Sequence, residues 1–144
     1  MRAFFDTSVL IATFYANHQF HQPSIDLFLR FKKHDASCGA HSLAEIYSSL
    51  TGRSGRERVS GDQAMLFLEN VRERLTIVSL DDQEYFRAIE VSSGLGIAGG
   101  VIYDALLAHC ALKSKAQTIY TWNTKDFVRL GKPIADRVRT PADS

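Results

Sequence analysis

The chain has little of the chemistry that would fix its class at once. Its 144 residues hold two cysteines, Cys38 and Cys110, too few for a disulfide framework and at no zinc spacing. That scarcity suits a reducing compartment, and cytoplasmic residence is expected. Three scattered prolines and no repeat or low-complexity tract leave nothing to divide the chain, so one domain over residues 1–144 is expected. An excess of charge of one sign is also lacking: 17 Lys and Arg oppose 16 acids, for a net +1. Any nucleic-acid binding must then come from local patches. The apolar start is short and broken by Asp6, which fits neither a secretion signal nor a membrane span. What remains is ordinary globular composition, 45% hydrophobic and 23% charged, sufficient at this length for a core without covalent staples.

Hydrophobic patterning predicts strands near 3–5, 36–39, 75–80 and 118–121, with a weaker one at 137–140. Helices are predicted after Asp6-Thr7-Ser8 over 9–15, up to about Lys33 around Ile25, Phe28 and Leu29, and around Leu43, Ile46, Tyr47 and Leu50. Others follow around Ala64–Val71, over 82–93 and over 103–113, with 51–61 as the most loop-like stretch. Strands alternating with helices imply an α/β fold with a parallel sheet covered on both faces. In such sheets ligands bind beyond the carboxyl ends of the strands. Asp6 and Asn123 fall on that edge.

Several motifs carry no chemistry. Gly94-Leu95-Gly96-Ile97-Ala98-Gly99 has dinucleotide-loop spacing, but a helix pattern precedes it and no acid follows at a strand end; it reads as a connector. The five histidines form no ligand pair on one helix face, and His18 and His21 sit in a polar break where solvation is expected. Both cysteines read as small buried apolar groups.

Three acids stand where local physics does not obviously place them. Asp6 directly follows an apolar strand and either caps the next helix or faces the sheet edge. Glu45 completes a possible capping box with Ser42, yet lies off the stripe of Leu43 and Tyr47. Asp104 opens a helix that is apolar nearly all round, so it is either a cap or a paired or metal-bound carboxylate. Were these acids to converge, they would repel, and a bound cation would reverse the balance. Oxygen-only donors suit Mg²⁺ or Mn²⁺, and such an ion can polarise a phosphodiester and acidify water.

Four segments, in order, make a pattern. Phe5-Asp6-Thr7-Ser8-Val9-Leu10, Leu43-Ala44-Glu45-Ile46-Tyr47, Tyr103-Asp104-Ala105-Leu106-Leu107-Ala108 and Thr121-Trp122-Asn123-Thr124-Lys125-Asp126-Phe127 resemble the PIN domain family. Within it the chain is most similar to the VapC-type ribonuclease toxins of prokaryotic toxin–antitoxin pairs. The resemblance spans essentially the whole chain. It implies a three-layer α/β/α sandwich around a mostly parallel sheet of about five strands, with an acidic pocket for Mg²⁺ or Mn²⁺. It implies Asp6 and Asp104 as direct metal ligands, with Glu45 helping to hold the ion or orient water. Hydroxyls at Thr7 or Ser8, and at Thr121, would support the pocket. Asn123 or Asp126 would complete it; an asparagine there adds no charge, which bears on whether one or two ions bind. The implied partners are an RNA substrate, a cognate antitoxin and a second copy of the chain, with no membrane.

Two other readings remain open at this point: an RNA-processing nuclease of the same fold that is not a toxin, and a non-enzymatic receiver-like α/β module. The second would use Asp81 or Asp82 after the third strand and Lys125 late in the chain. For substrate grip, Arg53, Arg56, Arg58, Lys113 and Lys115 are either phosphate contacts or solvated surface. Phe20, Tyr85 and Tyr120 are either base-stacking groups or core.

Overall fold

Three residues suffice for the first strand, β1 (Ala3–Phe5), because both of its faces are buried. Ala3 and Phe5 point to one side, among Leu10, Leu27, Ile46 and Leu50; Phe4 points to the other, among Leu107, Ile119 and Phe127. This computed structural model describes residues 1–143, so of the expected domain only Ser144 lies outside the described residues.

After β1 come α1 (Thr7–Phe14), α2 (His21–Arg30), β2 (Ala36–Gly39), α3 (Ala40–Gly52), α4 (Gly61–Arg74) and β3 (Thr76–Val78). The chain continues through α5 (Asp82–Gly94), α6 (Val101–Lys113), β4 (Thr118–Tyr120), α7 (Thr124–Val128), α8 (Lys132–Ala135) and β5 (Val138–Arg139). The sheet is wholly parallel, in the order β3-β2-β1-β4-β5. Side chains of α1 to α4 form the core on one face, and those of α6 to α8 form it on the other, with α5 packed on α6. The expected three layers are therefore present.

That order has a functional consequence. The chain works outward from β1 through β2 to β3, then returns to place β4 on the other side of β1. The strand order reverses between β1 and β4, and open parallel sheets bind ligands outside the carboxyl ends of the strands at such a point. The receiver-like alternative fails here. Receiver-type sheets run 2-1-3-4-5, whereas the third strand of this chain lies at the sheet edge. Asp81 is also occupied, capping α5 in a reciprocal pair with Glu84.

One glycine is required by close approach. A Cβ on Gly39 would stand 2.5 Å from Leu107 Cδ2, so the bare backbone lets α6 lie flat on the end of β2. Two helix starts differ from expectation. α3 begins at Ala40 with Gly39 as its N-cap, which places Ser42 inside the first turn. α6 begins at Val101 rather than Tyr103. The glycine-rich segment between α5 and α6 is the expected connector, with Gly96 and Gly99 at positive φ. The loop over 51–61 is shorter than expected, because α3 runs to Gly52 and a single 3₁₀ turn fills Gly55–Glu57.

Candidate active site

The carboxyl ends of β1 and β4 are joined by side chains. Asp6 follows β1, is buried, and is the N-cap of α1. Its Oδ2 accepts from Ser8 Oγ at 2.7 Å and Thr121 Oγ1 at 2.8 Å, whereas the cap bond from Ser8 N is long at 3.4 Å. The capping reading of Asp6 is thus correct in position, but the short bonds are to hydroxyls. Each hydroxyl is itself aimed by backbone after β4: Trp122 N donates to Ser8 Oγ at 3.0 Å, and Asn123 N to Thr121 Oγ1 at 2.9 Å. A hydroxyl that accepts from a fixed N–H has its own hydrogen free for the carboxylate. Burial nevertheless raises the Asp6 pKa, and the hydroxyl and amide bonds offset this only in part.

Glu45 projects from the second turn of α3 toward the same edge. Its Oε1 accepts from Thr7 Oγ1 at 2.8 Å, and that hydroxyl also lies 2.8 Å from Ser42 Oγ. The capping-box alternative is corrected by this geometry: with Gly39 as the cap, neither Ser42 nor Glu45 occupies a capping position. Desolvation raises the Glu45 pKa, the Thr7 bond and His41 oppose the rise, and the Asp6 charge adds to it.

Asp104 lies in the first turn of α6, inside the helix and not at its cap. Burial, followed by the charges of Asp6, Asp126 and Glu45, pushes its pKa up to about 7. Four carboxylates contributed by α1, α3, α6 and α7 therefore share one electrostatic field. Asp126, near the start of α7, is more exposed and stands 3.8 Å from Arg129. Asn123 is exposed at the N-cap of α7, with no side-chain capping bond. Among the described residues no ion pair includes Asp6, Glu45 or Asp104. Helix N-termini are electropositive, and this placement offsets part of the repulsion.

Among the described residues no three His, Cys, Asp or Glu side chains are drawn together tightly enough to enclose an ion. Magnesium does not require this, since it usually keeps several waters and takes one or two carboxylates. The donor set fits such an ion: all oxygen, mutually repelling, and without a basic side chain paired to the three inner acids.

Sequence reasoning overlooked three features of the rim. His41 stacks on Tyr103, with ring centroids 5.1 Å apart and 6° between planes, tying α3 to α6. A cleft of about 440 Å³ beside Glu45 is lined by these two rings with Ser48 and Ser49. Trp122, inside the fourth segment, stacks on Phe20 and donates from Nε1 to Ser24 Oγ at 2.9 Å. One expectation is corrected, and two open alternatives are decided. His18 and His21 are half-buried and hydrogen-bonded, to Phe20 N and Ala12 O. Tyr120 is core. Arg53 lies over Tyr15 and pairs with Glu57, and Lys113 pairs with Glu84, so neither is a free phosphate contact.

With this geometry in view, the comparisons with known proteins are direct. The PIN domain profile matches residues 3–133. The chain belongs to the PIN domain family. No curated protein matches the sequence significantly. Among solved structures, a toxin–antitoxin complex from Klebsiella pneumoniae is 18% identical with a TM-score of 0.69, covering 96% of this chain and 97% of that one. VapC20 of Mycobacterium tuberculosis, described as a toxin that cleaves the sarcin–ricin loop, is 18% identical with a TM-score of 0.70, covering 86% and 92%. VapBC2 from Rickettsia felis, bound to a promoter DNA fragment, is 19% identical with a TM-score of 0.64, covering 97% and 98%. At these identities the likenesses establish a shared fold. In this PIN domain, β5 completes the sheet although it lies just beyond the matched segment.

Proposed function

We propose that this PIN domain is a Mg²⁺- or Mn²⁺-dependent endoribonuclease that hydrolyses RNA phosphodiester bonds as the toxin of a toxin–antitoxin pair. The observation that carries the reading is the field around Asp104: burial and three neighbouring carboxylates hold its pKa near 7, with no basic side chain paired to the inner acids. Such a site gains from a cation. The likeness to VapC20, a toxin that cleaves the sarcin–ricin loop, supports RNA as substrate. The complex from Klebsiella pneumoniae supports an antitoxin partner, and a homodimer is proposed with it. Among the described residues no helix is long and apolar enough to cross a membrane, and cytoplasmic action belongs to the same proposal.

In this mechanism Asp6 and Asp104 would hold the ion, and Glu45 would hold it with them or orient water. A divalent ion bound there supplies the positive charge that polarises a phosphodiester and acidifies water. The chain's own residues do the rest. Ser8 and Thr121 fix the Asp6 carboxylate from two directions, so its donor oxygens do not swing. Thr7 holds Glu45 in the same way. Asp104, with a pKa raised to about 7, exchanges a proton near neutrality, and its ionised form would be the one that holds a cation. Asn123 and Asp126 stand at the rim, where they would complete the donor set through water.

The test is incubation with defined RNAs and Mn²⁺. Cleavage is expected from the native protein, none from Asp6→Asn, and loss in EDTA with recovery on adding Mg²⁺ or Mn²⁺. Cleavage indifferent to EDTA overturns the mechanism. Growth arrest on expression, relieved by the neighbouring small reading frame, separates a toxin from an RNA-processing nuclease.

A further inference from the structure

A second cleft opens beside Ser8, which donates to Asp6. It measures about 300 Å³, and its walls include Ser8, His18, Gln19, Phe20, Trp122 and Asn123. Phe20 and Trp122 are stacked almost parallel, with centroids 4.0 Å apart and 10° between planes, and neither ring is fully buried. The pair is held rigidly. Trp122 is tied at its indole nitrogen to Ser24 and at its backbone nitrogen to Ser8. His18 Nδ1 accepts the Phe20 N–H at 3.0 Å, which leaves the ring proton on Nε2 as a donor. Gln19 and Asn123 are exposed amides, and each supplies both a donor and an acceptor.

We propose that this cleft is a nucleobase subsite, in which a base of single-stranded RNA stacks on the Phe20–Trp122 pair while its phosphate lies in the acid pocket. The proposal deepens the nuclease reading and rests on it for the position of the phosphate. Three observations carry it. The cleft combines an aromatic platform with amide and imidazole groups able to reach a base edge, which is how single-stranded RNA bases are held. It borders the acids through Ser8, a wall of the cleft that accepts from Trp122 N and donates to Asp6, so two hydrogen bonds separate the Trp122 backbone from the carboxylate. Asn123 lines the cleft and is the N-cap of α7, the helix whose first turn carries the fourth carboxylate, Asp126. Stacking tolerates any base, so recognition of one base over another falls to His18, Gln19 and Asn123.

The sequence supplies its own probe, because Trp122 is the sole tryptophan. Adenosine carries no phosphate and needs no ion, so it tests the platform alone. Titration of the native protein with adenosine should quench tryptophan emission in a saturable way, whereas ribose should not. Phe20→Leu, which keeps an apolar side chain but removes the ring, should weaken that quenching about tenfold. With RNA and Mn²⁺ the same variant should raise KM about tenfold and change kcat less. A merely structural Phe20–Trp122 contact predicts equal response to adenosine and ribose, and that result overturns the subsite. If RNA is cleaved while adenosine and ribose act alike, the subsite fails and the nuclease reading stands. If adenosine quenches while no RNA is cleaved with any ion, the nuclease reading fails and the base site stands.

Discussion

Replacing Asp104 by asparagine should make the protein's stability less dependent on pH. In the folded protein the Asp104 pKa is pushed up to about 7, against 3.8 for the free side chain. The folded state therefore holds a proton that the unfolded chain has released throughout that window. Stability must then fall as pH rises from about 4 to about 7 and level off above it. At about 1.36 kcal/mol per pH unit the gross cost of ionising Asp104 is a little over 4 kcal/mol. Asp104 is only half-buried, and solvent screening reduces this to roughly 1–2 kcal/mol. For a chain of this size that corresponds to roughly 2–8 °C in Tm. His109 works in the opposite sense, because burial lowers its pKa and stability rises as it loses its proton. The informative quantity is accordingly the difference between native protein and Asp104→Asn. Thermal unfolding followed by circular dichroism at pH 5 and pH 8 spans about two-thirds of that window and should show the native protein losing roughly 1–5 °C more than the variant. Adding Mg²⁺ at pH 8, at ten times its Kd, should return about 1.4 kcal/mol to the native protein. Equal pH dependence in the two proteins refutes the account of the field around Asp104.

Other perturbations test separate parts of the site. Thr121→Val removes one of the two short hydroxyl bonds to Asp6 and should cost roughly 1.5–3 kcal/mol in urea unfolding, but only about 1 kcal/mol in an Asp6→Asn background; strictly additive effects would show that the bond is not specific to the charge. Asp6→Asn alone should leave Tm unchanged or raised at neutral pH, because burial already disfavours the ionised form, and cleavage assays on the same sample should read zero. Glu45→Gln retains an acceptor for Thr7 and should fold normally while losing at least tenfold in cleavage rate, about 1.4 kcal/mol of barrier; full activity would confine Glu45 to a structural role. Gly39→Ala should destabilise by roughly 1–3 kcal/mol through its clash with Leu107, and pairing it with Leu107→Ala should recover less than expected from relief alone, because a cavity opens.

The strands were legible because both faces of the sheet are covered, so that even Ala3–Phe5 is uniformly apolar and bounded by a polar turn. The order of strands was not, since nothing local in Thr118–Tyr120 tells it to dock beside β1 rather than β3. The acids were identified by their discord with their surroundings. Asp104 stands in a helix that is apolar nearly all round, and Asp6 follows a wholly apolar strand. The resemblance then placed the hydroxyls of Thr7, Ser8 and Thr121 beside them. Glu45 was harder, because Ser42-x-x-Glu45 is also the grammar of a helix start, and only the close packing that requires Gly39 moves the cap three residues earlier. The His41–Tyr103 and Phe20–Trp122 stacks join residues distant in sequence, and no periodicity announces such partners.

The clasp between Asp6 and Thr121 spans 115 positions, so its two halves are made at opposite ends of translation. A nascent chain acquires Asp6, Ser8 and Glu45 well before the second of the two hydroxyls that steady Asp6 exists. Until β4 slides in beside β1, the acids hang on an unfinished scaffold and offer no fixed cradle for a cation.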